Sequence, residues 1–169
     1  MTGAATPDPV ASTDGLTKNF GPVRALDGIS LEVLPGRITG VVGPDGAGKT
    51  TLIRILAGLM RADEGTVQVL GGAPGTDLED LGYMPQRFGL YEDLSVIENL
   101  RLYAELRRLD AAERDTRFAR LLAFTDLARF QDRLAGKLSG GMKQKLGLAC
   151  ALVKTPKLLL LDEPGVGVD

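Results

Sequence analysis

Gly43-Pro-Asp-Gly-Ala-Gly-Lys-Thr50 is the stretch of this sequence that decides the fold. It matches the pattern G-x-x-x-x-G-K-[ST], in which glycines let backbone N–H groups surround the phosphates of a nucleotide. The apolar, β-branched run Ile38–Val42 precedes it and predicts a strand, while apolar residues recur at helical spacing through Thr50–Leu59. A strand, a glycine-rich loop and a helix in this order are the context that the motif requires, so an ordinary glycine-rich turn is the weaker explanation.

The residues predicted to bind phosphate lie in this loop and in the first turn of the helix behind it. Lys49 would reach the β- and γ-phosphates, and the Thr50 hydroxyl would ligate Mg²⁺. The free amides and the dipole of the helix N-terminus favour an anion at the same place. The predicted phosphate-binding residues are Gly43, Pro44, Asp45, Gly46, Ala47, Gly48, Lys49, Thr50 and Thr51.

A second candidate site follows the continuous apolar run Lys157–Leu161, which predicts a strand buried on both faces of a parallel sheet. Such a strand presents Asp162 and Glu163 at its carboxyl end, the edge at which open parallel sheets bind ligands. Asp162 is a candidate Mg²⁺ ligand, and Glu163 is a candidate to orient or deprotonate an attacking water. An apolar strand that ends in Asp-Glu is weak evidence by itself, and the phosphate loop strengthens it.

A third glycine-rich element, Leu138-Ser-Gly-Gly-Met-Lys-Gln144, leads into a predicted helix over Gly141–Val153. Ser followed by two Gly at a helix start forms a second anion site by the same dipole argument. An ordinary Ser N-cap beside loop glycines explains the pattern as well. Because one nucleotide needs one phosphate cradle, a second cradle indicates a different nucleotide, as in a head-to-tail dimer.

The rest of the chain is predicted to be α/β at both ends with helices between them. Ser95 and Glu98 match a capping box, in which the serine and glutamate side chains each bind the other residue's backbone amide. Residues 1–12 are predicted to be a disordered lead-in to one domain, 13–169, with a catalytic core at 13–89 and 138–169 and a helical subdomain at about 90–137. The further predicted elements are strands at Ile29–Val33, Thr66–Leu70 and Gly82–Met84, and helices at Ser95–Leu109 and Ala111–Phe124.

The composition excludes several other kinds of site. The 169 residues include no His and one Cys, Cys150, which excludes His-based catalysis, an internal disulfide and a Cys-rich zinc module. The net charge of −2 gives no global attraction to nucleic acid or anionic lipid. Arg101–Lys145 carries 11 basic and 6 acidic side chains, for which a solvated helical face is the simpler interpretation. No apolar run approaches the ~18 residues of a membrane span, and a cytosolic location is expected.

Four stretches of the sequence, in their order along the chain, resemble the nucleotide-binding domain of ABC (ATP-binding cassette) transporters. They are Gly43–Thr50, Gln86, Leu138–Gln144 and Leu161–Glu163. The Leu-Ser-Gly-Gly signature separates that family from other P-loop ATPases. The chain looks closest to the first cassette of bacterial ABC-2-type, tandem-cassette multidrug-exporter ATP-binding subunits. The resemblance implies an α/β P-loop NTPase fold with a mostly parallel core sheet, a small antiparallel β portion and an inserted α-helical subdomain.

The resemblance also implies roles for single residues. Phe20 would stack on adenine, and the alternative is that its ring packs in the core. Gln86 would contact Mg²⁺ and the attacking water, and the alternative is an exposed loop glutamine without such a role. The residues that would contact the γ-phosphate of ATP bound to the opposite cassette are Ser139, Gly140 and Gly141.

Two further groups of residues have counterparts in the family. Asp169 resembles an aspartate at the interface between cassettes. The residues that would line a groove for a coupling helix of the membrane partner, or would belong to an ordinary core, are Met84, Phe88, Leu90 and Tyr91.

The sequence also departs from the family pattern. Asp45 stands where the family more often has Asn, and Gly165 where it often has Thr or Ser. The family continues beyond the position of Asp169 into a further helix and a strand that carries a switch His, so the chain is expected to be a partial cassette that is poorly active alone. The strand at Lys157–Leu161 is then expected to lack a neighbour, and open strand edges favour aggregation.

The expected function is that of an ATP-binding and ATP-hydrolysing subunit that powers an exporter from the inner face of the bacterial plasma membrane. ATP and Mg²⁺ are the expected cofactors. The expected partners are a second cassette and an integral membrane permease, with no direct contact to nucleic acid. The alternatives are a soluble ABC-type ATPase that acts on ribosomes or nucleic acid, which the basic stretch supports, and a nucleotide-binding fragment without turnover.

Overall fold

The computed structural model describes residues 7–87 and 89–163. Contacts divide the chain into two compact units, Met1–Leu81 and Gly82–Asp169. The first unit contains the phosphate loop, and the second contains the glutamine, signature and acidic motifs. The predicted α/β class is confirmed, because helices and strands occur in both units.

The first unit is an antiparallel sheet with one helix. Its strands are β1 (Ala11–Phe20), β2 (Val23–Val33) and β3 (Glu64–Val69), in the order β2-β1-β3, and its helix is α1 (Lys49–Leu56). β1 lies in the centre because it pairs with both neighbours, Ala11 with Val33 on one side and with Val69 on the other. The buried side chains of this unit include Leu16, Leu26, Leu52, Ile55 and Val69.

Two expectations for the first unit are corrected. Ile38–Val42 is not a strand: the side chains of Ile38 and Val42 are 101% and 93% exposed, and no described strand pairs with this run. Its β-branched residues favour an extended chain, but a strand also needs a hydrogen-bonded neighbour. Conversely, β1 begins at Ala11, which is buried, so Ala11 and Ser12 belong to the sheet rather than to a lead-in. Polar residues dominate β1, which weakens its strand pattern.

The second unit joins a two-stranded parallel sheet to a group of helices. The strands are β4 (Leu81–Met84) and β5 (Leu158–Leu161), and β4 begins at the boundary between the units. The helices are α2 (Val96–Leu106), α3 (Ala111–Phe124) and α4 (Gly140–Ala151), with short 3₁₀ turns at Ala128–Phe130 and Ala135–Lys137. Among the described residues the antiparallel sheet is therefore the larger one, because Ile38–Val42 adds no strand to the parallel one.

The helices α2, α3 and α4 share one apolar core. Val96 and Leu100 of α2 pack in it with Phe118 of α3 and with Leu146 and Cys150 of α4. Burial raises the pKa of the Cys150 thiol, which fits a core residue. The contacts thus place α4 with the helices, whereas the predicted division assigned residues from 138 onward to the catalytic core.

The start of α2 follows the sequence closely. Ser95 Oγ accepts a hydrogen bond from the Glu98 amide at 3.3 Å, and Glu98 Oε2 accepts one from the Ser95 amide at 2.8 Å, so the predicted capping box is confirmed. Asn99, which is fully buried, donates to the carbonyls of Tyr91, Leu94 and Ser95 and accepts from the Tyr91 amide. These bonds fix the segment that leads into α2.

The remaining elements lie close to their predicted positions, with differences of one to three residues at most ends. α3 has the predicted bounds, α1 begins one residue early, and α4 ends at Ala151 rather than Val153. α2 ends at Leu106, and β2 extends well before the predicted Ile29. Among the described residues no helix is both long and apolar enough to cross a membrane.

Candidate functional site

The phosphate loop is an exposed turn that opens α1. Gly43 to Ala47 are all exposed, and Ala47 donates its amide hydrogen to the Pro44 carbonyl at 3.2 Å. The next residue, Gly48, is the N-cap of α1, and no side chain caps the helix. The first turn of α1 therefore has no side-chain acceptor at its cap, which suits the binding of an anion there.

Lys49 is folded back over this loop. Its Nζ donates hydrogen bonds to the carbonyl oxygens of Gly43 and Pro44, each at 2.9 Å. Lys49 is the first residue of α1, and its side chain thus reaches back to Gly43 and Pro44 at the start of the loop. This contact places a positive charge at the loop, where a phosphate would replace backbone carbonyls as its partner.

Gly48 is required by its backbone conformation and by its neighbours. Its φ is +87°, in the left-handed region, and a Cβ atom there would lie 2.3 Å from the Ala25 carbonyl oxygen and 2.9 Å from Leu26 Cδ2. Any larger residue would push against the backbone of β2. The end of the phosphate loop therefore lies directly against β2, the strand that follows Phe20.

Phe20 is the last residue of β1 and is 47% exposed. It pairs with Val23 across a tight hairpin, where Gly21 adopts a φ of +57°. Lys18 Nζ lies 5.7 Å from the centroid of the Phe20 ring. The exposure contradicts the core-packing alternative and leaves ring surface available for stacking.

In the second unit, the structure brings Gln86 and Glu163 together. The Gln86 Nε2 donates a hydrogen bond to Glu163 Oε2 at 2.7 Å. The contact follows from the sheet: the Asp162 amide donates to the Met84 carbonyl at 2.9 Å, which joins the ends of β4 and β5. Asp162 is 1% exposed, whereas Glu163 is more accessible and has a φ of +51°. Gln86 is therefore a partner of the candidate base rather than an isolated loop residue.

The signature residues begin α4. Ser139 is the N-cap, and its Oγ accepts a hydrogen bond from the Met142 amide at 3.3 Å. Ser139 and Gly140 are exposed, and a Cβ on Gly141 would meet no atom within 4 Å. The Ser N-cap interpretation is thus correct, and the exposed Gly140 together with the open space beside Gly141 leaves the backbone of this helix start accessible to a ligand.

Asp169, Phe88 and Gly165 lie outside the described residues. All other predicted site residues lie within them. Met84 is buried, Leu90 packs against the helical core, and Tyr91 is 54% exposed, so these three do not form one uniform apolar surface. No sequence motif singles out Asp63, which bonds to Lys18 beside Phe20 from 45 residues away. Such a long-range contact leaves no local signal in the sequence.

The family profile of ABC transporters matches residues 26–166. The chain belongs to the ABC transporter family. The matched residues include the phosphate loop, which has the Walker A pattern, and Leu138–Gln144, which resembles the signature of the family.

Two relatives illustrate the similarity within the ABC family. The chain is 58% identical over 168 residues to the probable multidrug ABC transporter ATP-binding protein YbhF of Escherichia coli K12. This alignment covers 96% of the chain and 29% of YbhF. The chain is 40% identical over 167 residues to the daunorubicin resistance ATP-binding protein DrrA3 of Streptomyces coeruleorubidus, covering 96% of this chain and 52% of that protein. The chain thus spans less than a third of YbhF and about half of DrrA3.

Solved ABC structures have the same fold. An ATP-binding subunit of an ABC transporter superposes with a TM-score of 0.85 at 32% identity, covering 95% of this chain and 68% of that one. The ATP-binding cassette MJ0796, in a dimeric post-hydrolysis state with ADP and Pi, gives a TM-score of 0.83 at 27% identity, covering 94% and 76%. These similarities confirm the α/β ABC ATPase fold that the motifs predict.

Proposed function

We propose that this chain is the ATP-binding and ATP-hydrolysing cassette of an ABC-type exporter. The observation that carries the proposal is the Walker A loop, in which Gly48 opens α1 without a side-chain cap and Lys49 Nζ lies 2.9 Å from two loop carbonyls. An exposed anion site with a positive charge held at it suits the triphosphate of ATP. The similarity to ATP-binding subunits of ABC transporters supports ATP as the nucleotide.

Hydrolysis would use Glu163 and Gln86. A Glu163 carboxylate oxygen would accept the proton of a water that attacks the γ-phosphate, and the Gln86 amide, 2.7 Å from that carboxylate, would orient it. Lys49 and the amides of the α1 N-terminus would stabilise the charge that develops on the transferred phosphoryl group. Ser139, Gly140 and Gly141 would contact the γ-phosphate bound to the opposite cassette.

Mg²⁺ is the proposed metal, and the side chains that the family resemblance assigns to it are of the kind that Mg²⁺ binds. Thr50, Gln86 and Asp162 supply oxygen atoms, which Mg²⁺ prefers, and the ion is usually held by one or two carboxylates together with substrate phosphates. A group of three or more His, Cys, Asp or Glu side chains, as a closed metal cage needs, does not occur among the described residues. When bound, Mg²⁺ neutralises negative charge on the phosphates.

The proposed partners are a second cassette, in a head-to-tail dimer, and an integral membrane permease. The exposed signature at the start of α4 supports the first, since that element would contact the nucleotide of the other cassette. The multidrug and daunorubicin-resistance relatives support export as the direction of transport. The proposed location is the inner face of the bacterial plasma membrane, at the periphery of the permease.

The test is ATP binding by Lys49→Ala, measured by titration calorimetry beside Arg61→Ala, which removes an exposed cation elsewhere in the same unit. Charge-assisted hydrogen bonds contribute about 1.5–3 kcal/mol each, so Lys49→Ala is expected to weaken ATP binding by about 10- to 100-fold. Arg61→Ala should bind ATP as the wild type does. An unchanged affinity in Lys49→Ala would overturn the assignment of the loop.

A further inference from the structure

Asp63, in the connection between α1 and β3, is joined to the end of β1 by three hydrogen bonds. Its Oδ1 accepts one from Lys18 Nζ at 2.7 Å, and its Oδ2 accepts one from the Asn19 amide at 2.7 Å. Its own amide donates to the Thr17 carbonyl at 2.9 Å. Both carboxylate oxygens are thus used to hold the two residues that immediately precede Phe20. The hydrogen bonds from Lys18 and Asn19 lower the pKa of Asp63, so the carboxylate stays ionised at neutral pH.

Lys18 connects this carboxylate to the aromatic ring. Residues two apart on a strand point to the same face of the sheet, and the Lys18 ammonium lies 5.7 Å from the Phe20 centroid. That distance is within the range of a cation–π contact. The ion pair with Asp63 limits the freedom of Lys18, whose side chain is 17% exposed, while Phe20 stays 47% exposed.

The same hairpin also lies against the phosphate loop. The carbonyl of Ala25 in β2 lies close to Gly48, at the end of the loop. Val23, which pairs with Phe20, is two residues before Ala25 on the same strand. Since a strand rises by about 3.4 Å per residue, the Phe20 pair lies about 7 Å along β2 from the loop contact. The ring is therefore within reach of a base whose phosphates occupy the loop.

We infer that Asp63 and Lys18 are positioning residues for base recognition, which hold the Phe20 ring in the orientation that stacks on the nucleobase. The inference rests on the proposed nucleotide binding and extends it to residues outside every motif of the chain. Stacking of one base on an aromatic side chain contributes about 5- to 150-fold in affinity. Orienting a side chain before binding accounts for about 2- to 10-fold of such a gain.

The test compares ATP with tripolyphosphate, which carries the phosphates without a base, by titration calorimetry on the purified protein. Asp63→Asn is nearly isosteric and is expected to weaken ATP binding by about 2- to 10-fold while tripolyphosphate binding stays unchanged. The matched control is Glu32→Gln, which removes an exposed carboxylate at the opposite end of the sheet, paired with Ser12. It should change neither affinity.

The outcomes separate the inference from the proposed function. Unchanged ATP affinity in Asp63→Asn, or equal losses for both ligands, would overturn the positioning role, since a purely structural role affects both ligands. If the wild-type protein bound neither ligand, the proposed function itself would fail and the inference with it.

A double-mutant cycle gives an independent test of the route through Lys18. If Asp63 acts on Phe20 by holding Lys18, the double variant Lys18→Met/Asp63→Asn should bind ATP no more weakly than the weaker of the two single variants. Independent, multiplying losses would contradict that route.

Discussion

Gly48→Ala is expected to destabilise the first unit more than Gly46→Ala, although both glycines belong to the phosphate loop. The two residues have similar left-handed backbones, with φ of +87° and +79°. A Cβ on Gly46 meets no atom within 4 Å, whereas a Cβ on Gly48 would lie 2.3 Å from the Ala25 carbonyl oxygen. The pair therefore separates the cost of the backbone conformation from the cost of the close approach.

The expected magnitudes follow from these two contributions. An L-residue in the left-handed region costs about 1–2 kcal/mol, which applies to both variants. Forcing a methyl group into a packed contact costs about 1–3 kcal/mol more, which applies to Gly48→Ala alone. The total loss in the free energy of unfolding is then about 1–2 kcal/mol for Gly46→Ala and about 2–5 kcal/mol for Gly48→Ala.

Urea unfolding followed by circular dichroism measures the difference. With a denaturant dependence of about 2 kcal/mol per M, the midpoint of Gly48→Ala should lie about 0.5–1.5 M below that of Gly46→Ala. Equal midpoints in the two variants would refute the close packing of the phosphate loop against β2.

Two further predictions concern the start of α2. Asn99→Leu should lower the free energy of unfolding by about 2–4 kcal/mol, because it removes the four hydrogen bonds that the fully buried Asn99 side chain makes to the backbone of Tyr91, Leu94 and Ser95; a loss under about 1 kcal/mol in urea unfolding would contradict this. Hydrogen bonds from Ser95 lower the pKa of Glu98 below its ordinary value of 4.5. The Glu98 carboxylate therefore stabilises the folded protein above pH 4.5, and this stabilisation is lost as the pH falls through the lowered pKa of the folded state. The wild type should therefore be more stable than Glu98→Gln at pH 7 and equally stable in strong acid, and a constant difference between their urea midpoints would refute the capping role.

Local signals in the sequence predicted much of the structure. The phosphate loop, the capping box at Ser95 and the bounds of Ala111–Phe124 each depend on residues close together in the chain. The strand before Asp162 was also predictable, since four consecutive leucines favour burial. These features need little information beyond their own neighbourhood, because helix caps, glycine loops and apolar runs are encoded within a few residues.

Features that depend on distant neighbours could not be predicted in the same way. Ile38–Val42 has the composition of a buried strand, but its exposure depends on which strands pair with it. β1 is a central strand of its sheet with few apolar residues, and its partners Val33 and Val69 lie far along the chain. The Lys18–Asp63 ion pair joins residues 45 positions apart, and the Gln86–Glu163 contact joins residues 77 apart. Neither contact leaves a local signal in the sequence, although the family resemblance assigned Gln86 and Glu163 to the same attacking water.

Glu163→Gln in the intact subunit is the sharpest test of ATP hydrolysis by this site, because it replaces the candidate base by a side chain of the same shape. The measurement is ATP affinity together with single-turnover hydrolysis. If Glu163 is the general base, ATP affinity stays close to that of the wild type while the hydrolysis rate falls by about 10²- to 10⁴-fold, the usual contribution of such a group. Hydrolysis at the wild-type rate in the variant would show that Glu163 is not the base.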